Sequence, residues 1–139
     1  VQTCALPIYL GDRGGALTAD LITASLEAVG DPTADVYARL FAQFPDVEER
    51  FRRDTTGAIK AEMLTMVFDC LMNPTGPYQA NVVRTERVNH ESSGAASEIF
   101  DRFFWIVRDA CRARAGQAWT PATDAAWTAQ IERILQASR

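Results

Sequence analysis

Residues 35–51 read DVYARLFAQFPDVEERF, and the reading of this stretch decides the fold class. Val36, Leu40, Phe41 and Phe44 recur three or four places apart, which lines them along one stripe of an α-helix. Just upstream, Asp31-Pro32 is a helix-cap residue followed by proline at the first helical position. Pro45 stops the helix, since its ring clashes with the preceding turn. A short helical turn, Asp46 to Phe51, then leads into the polar stretch Arg52 to Thr56.

The same grammar extends in both directions. Leu17, Leu21, Ile22, Leu26 and Val29 predict an earlier helix, with Thr18 as its cap and Gly30 as its stop. From about Gly57 to Met72, Ile59, Met63, Leu64, Val67, Cys70 and Leu71 form a further amphipathic stripe. Asn73, Pro74, Gly76 and Pro77 make a loop. A weaker helix, Gln79 to His90, carries Val82, Val83 and Val88, and Ser92, Ser93 and Gly94 end it. Ile99, Phe100, Phe103, Phe104, Ile106, Val107 and Cys111 define the most apolar helix, closed near Gly116. Thr120-Pro121 caps the last one, whose inner side is Ala126, Trp127, Ile131, Ile134 and Leu135. No alternating run of β-branched residues interrupts this pattern. The expected fold is all-α, with six to eight helices and no internal repeat.

Composition narrows the function classes. A 139-residue chain that is 47% hydrophobic and 23% charged is one ordinary globular domain. A formal charge of −4 argues against a nucleic-acid partner, which needs a basic face. No apolar run approaches the roughly 20 residues of a membrane span. The opening VQTCALPI, residues 1–8, reads as a translated sequencing adapter, which leaves 9–139 as the expected domain and removes Cys4 from consideration. Cys70 and Cys111 fall on apolar helix faces at a spacing that suits no zinc site. They are expected as free buried thiols, as in a reducing cytoplasm.

The chain has a single histidine, His90. At the end of a helix it has two readings. It is an exposed residue favoured by the helix dipole, or it is a ligand facing an apolar slot. Glu86 lies one turn before it on the same helical face. Its carboxylate either takes the second ring N–H of the imidazole or pairs with Arg84 or Arg87 in solvent.

Three stretches, taken in order, carry a resemblance. DVYARLFAQFPDVEERF resembles the B helix, C turn and haem-packing phenylalanine of bacterial globins. NHESSGAASEIFDRFF resembles their proximal histidine and the turn into the next helix, and AWTPATDAAW the start of their last helix. With the helix order around them, the resemblance spans residues from about 17 to 136. The resemblance implies a globin fold around one haem b, with His90 holding the iron. Phe51 would pack on the macrocycle, Tyr37 would face the bound gas and Phe41 would back the pocket. Leu64, Phe100 and Phe104 would complete the haem slot. The distal helix position falls on Lys60 or Ala61, and with His90 the only histidine there is no distal one. Lys60, Arg52, Arg53, Arg84 and Arg87 are candidate partners for the haem propionates, or else solvated surface charges.

The implied function is reversible binding of a diatomic gas, O2 or NO, as carrier, scavenger or NO detoxifier. No flavin- or nicotinamide-binding segment lies within the sequence, so turnover would draw on an external reductase. A haem-based gas or redox sensor and a haem-free globin-like interaction module are the alternatives. A cytoplasmic monomer or homodimer is expected.

Overall fold

The computed structural model describes the backbone of residues 6–73 and 77–139, and the side chains of 17–73 and 81–139. The expectation for residues 1–8 lies largely outside these, as do the side chains around Pro74, Gly76 and Pro77. The described residues are all-helical: α1 (Leu6–Val29), α2 (Thr33–Gln43), a 3-10 helix (Pro45–Phe51), α3 (Ala58–Met72), α4 (Pro77–Ser92), α5 (Ser97–Ala115), a 3-10 turn (Gly116–Ala118) and α6 (Pro121–Ala137). None of these helices is long and apolar enough to cross a membrane.

Local chemistry explains most boundaries. Gly30 ends α1 at φ +69°, a conformation that costs glycine nothing. The Asp31 carboxylate accepts the Thr33 N–H at 3.0 Å and the Thr33 hydroxyl at 2.6 Å, starting α2. Asp54 does the same for α3, accepting the N–H groups of Ile59 and Lys60, each at 3.1 Å. Thr120 caps α6 by accepting the Thr123 N–H at 3.1 Å. One expected cap is corrected: Thr18 is interior to α1, which starts twelve residues earlier at Leu6. Pro7 is tolerated in that first turn. The helix runs on through Gly14 and Gly15, at a propensity cost of about 1 kcal/mol each.

The core gathers the predicted stripes. Ile22, Val36, Leu71, Ile106, Val107, Cys111, Trp127 and Ile131 are wholly buried. Trp127, at its centre, donates its indole N–H to Ser25 Oγ at 2.9 Å, and Ser25 donates to the Ile22 carbonyl at 2.6 Å. That chain satisfies the polar atoms that α6 buries against α1. Gln130 donates to the Leu71 carbonyl at 3.2 Å, occupying an orphan acceptor at the C-terminal end of α3. Thus α3 packs on α1, α2 and α6, whereas α4 packs on α5 and α6. A crevice remains between α3 and α4.

Trp127→Ala is expected to cost about 3–5 kcal/mol, the range for emptying a large aromatic site in a core. The shift of the chaotrope-unfolding midpoint measures it, and Thr120→Ala should cost only ~1 kcal/mol as a lost cap.

Candidate functional site

The crevice measures about 450 Å³, inside the roughly 300–1,000 Å³ of small-molecule and cofactor sites. Its walls come from successive turns of facing helices. On α3, Ile59, Met63, Met66, Val67 and Cys70 share one face; opposite are Val83, Glu86 and His90 of α4. Ile99, Phe100, Phe103 and Phe104 of α5 close the floor, and Val47, Arg50 and Phe51 close the end formed by the 3-10 helix.

His90 is held by its own helix. Its Nδ1 lies 2.7 Å from the Glu86 carbonyl oxygen. A carbonyl can only accept, so the Nδ1 proton must point at it. The neutral ring therefore keeps its lone pair on Nε2, the form a metal requires. The Glu86 carboxylate is farther away, at 4.0 Å from Nδ1, so the main chain and not the side chain orients the ring. The Phe100 ring meets the imidazole edge-on, with centroids 5.3 Å apart.

The helix that carries His90 is fixed chiefly by Arg87. That side chain is only 7% exposed. Its guanidinium reaches Ser97 Oγ at 3.0 Å, Ser138 Oγ at 2.9 Å and the Asp101 carboxylate at 2.6 Å, and it lies 4.9 Å from the centre of the Phe100 ring. The Asp101 contact is an ion pair too far off-axis to count as a hydrogen bond. Arg87 is thus a structural cation, neither a solvated charge nor one free to reach the crevice. Arg84 donates to the Ala137 carbonyl and Arg52 pairs with Glu49, so neither lines the crevice.

The structure brings four of the expected site residues together at the crevice: His90, Phe51, Phe100 and Phe104. The other four lie behind or beside it. Tyr37 is buried and donates its hydroxyl to the Lys60 carbonyl at 2.9 Å. Burial, with help from the Asp54 charge, pushes that hydroxyl far above the ordinary phenol range. Its ring packs on Phe41, Phe51 and Phe103. The Lys60 ammonium sits 5.8–5.9 Å from the centres of the Tyr37, Phe41 and Phe51 rings, a cation over an aromatic cluster. Leu64 is buried in the core and Ala61 is exposed. Among the residues that sequence reading passed over are Met63, Met66 and Phe103 as walls and Arg50 at the rim. The only signal for the methionines was the phase of the α3 stripe.

Cys70 adds a thiol to the wall. Burial pushes it up to about 11, and Cys111, deeper in the core, up to about 12. Both are free, and both stay protonated at neutral pH. Among the described residues no three metal-binding side chains cluster, and His90 is the one imidazole at the crevice.

Compared with known proteins, the chain matches no protein-family model, no curated protein and no solved structure. Fold and site therefore define it only as a class: an all-helical protein with a largely apolar crevice walled by one oriented imidazole.

Two outcomes test this geometry. Arg87→Ala should cost ~2–3 kcal/mol, below the about 3–5 of a fully buried pair, because Asp101 keeps solvent contact and Arg139 at 3.3 Å. The raised thiols also set a pH dependence. In the unfolded chain they ionise near 9, in the folded one only near 11 and 12. The folded state then holds more protons, so stability falls as pH rises through that window. Chaotrope unfolding should show a shallower decline from pH 9 to 11 for a Cys70→Ala, Cys111→Ala variant than for the parent.

Proposed function

We propose that this chain is a globin-like haem protein that binds a diatomic gas, with His90 as the proximal ligand of a haem b in the crevice between α3 and α4. The observation that carries the reading is the His90 ring: it lines the crevice with Nδ1 tied to the Glu86 carbonyl and Nε2 free to coordinate. The donor set suits haem iron, because one imidazole in an apolar slot is the ligation that haem proteins use. Phe51, Phe100 and Phe104 supply flat apolar surface of the kind a macrocycle needs. The order of sequence motifs supports the same class.

When bound, the haem supplies an iron centre that coordinates the gas. The chain's own residues hold the macrocycle, fix the imidazole and keep water out. Of the two gases, NO is favoured over O2, because bound O2 gains most from a hydrogen-bond donor. The Tyr37 hydroxyl is committed to the Lys60 carbonyl, and the α3 side chains on the wall offer no hydroxyl or N–H donor, only thioethers, aliphatic groups, the Glu62 carboxylate and the weakly donating Cys70 thiol. The roles that follow are carrier or scavenger, or NO detoxifier served by an external reductase.

The test is an absorption spectrum after haem supplementation, for the parent and for His90→Gly with and without added imidazole. A Soret band in the parent, lost or shifted in the variant and restored by imidazole, is the expected result. A parent that takes up no haem would overturn the reading and favour a haem-free interaction module.

A further inference from the structure

The crevice wall is apolar along most of its length, yet its rim is charged. Arg50 is the one cation among the described lining residues, and Glu62 and Glu86 are the anions. Arg50 projects from the 3-10 helix one residue before Phe51. Its two terminal nitrogens donate to the Ser93 carbonyl at 3.2 Å and the Gly94 carbonyl at 3.0 Å. These carbonyls belong to the turn that follows His90, so one guanidinium joins the end wall of the crevice to the end of α4.

Those two bonds use two of five N–H donors. Among the described residues Arg50, like Arg39, Arg53, Arg84, Arg102 and Arg133, has no carboxylate partner, and of these it alone lines the crevice. A cation held in place by backbone carbonyls, with donors to spare and no counter-charge, at the rim of an apolar crevice, is complementary to a ligand with an apolar body and an acidic edge. Glu62 and Glu86 repel an anion elsewhere along the rim, which leaves Arg50 as the position where one is accepted.

Resting on the haem reading above, we infer that Arg50 receives a carboxylate of the crevice's occupant, a propionate of the haem. The carboxylate, the Phe51 wall and the turn after His90 then belong to one hydrogen-bonded unit. Gly94 suits this arrangement: at φ +88° it presents its carbonyl from a backbone conformation that side-chain-bearing residues rarely adopt.

The experiment titrates haem and haem dimethyl ester, which lacks free carboxylates, into the haem-free parent, Arg50→Ala and Arg50→Lys, with circular dichroism confirming the helical fold of each. The parent is expected to prefer haem over the diester by about fivefold, ~1 kcal/mol, as for a partly exposed ion pair. Arg50→Ala should lose that preference while binding the diester as the parent does. Arg50→Lys should keep part of it. A preference that survives in Arg50→Ala, or that the parent never shows, overturns the assignment. Equal weakening of both porphyrins in Arg50→Ala also overturns it, because Arg50 would then act only through its hold on the turn. If the parent binds neither porphyrin, the haem reading itself has failed, and this inference with it.

Discussion

The Arg87 ion pair is the interaction on which the site depends. Of the described side chains of α4, only Val83 and Arg87 are buried, so the described part of this helix buries little apolar surface. The guanidinium adds what packing lacks. It draws Ser97 and Asp101 from the start of α5, and Ser138 from beyond the end of α6, onto one point. Desolvating such a charge is costly, and the cost is offset only when several partners share it. Here two hydroxyls, one carboxylate and the face of Phe100 do so. The imidazole one turn along inherits its position from that fixed point.

A second constraint is local to the helix. Because Nδ1 of His90 bonds to the carbonyl four residues earlier, the ring's tautomer is set by helical geometry and needs no distant partner. A histidine elsewhere on α4 with the same bond would face another direction. The position of His90 opposite the Met63 and Met66 face of α3 makes the arrangement a site. The crevice exists because α3 and α4 lean on different neighbours: α3 against α1, α2 and α6, α4 against α5 and α6.

Much of the fold was legible in the residue order. Proline, glycine and capping side chains marked the ends of α2, α3 and α6, and apolar periodicity gave most of the core faces of α5 and α6, with Ile99 and Phe100 only half-buried and Ala110, Thr123 and Gln130 buried without having been marked by it. Such signals are local, and local chemistry decides them. The start of α1 was missed because Thr18, beside the first residue of the apolar stripe, reads as a cap, whereas the helix extends back through Gly15 and Gly14 at a modest propensity cost. The site was legible in part. His90, Phe51 and Phe100 sit within a turn or so of a punctuation mark that fixes their register, and Phe104 follows Phe100 by one turn of α5. Along α3 no such mark separates Phe51 from Met63 uniquely. The choice between Lys60, Leu64 and Met63 as wall residues depends on helix phase, which one residue of slip rotates by about 100°. Arg50 and Arg87 are alike as letters. One is buried and the other rims a crevice because of contacts some ten and more than forty residues away in sequence.

The small apolar burial along the described part of α4 has a kinetic consequence. An element with few buried contacts is the first to open in thermal fluctuations. In this fold that element is itself one wall of the crevice. For the occupant proposed above, entry would then need no permanent channel, because a transient parting of α4 from α5 and α6 would admit it. The same parting would end its stay, so residence time in the crevice would be bounded by the lifetime of the closed wall.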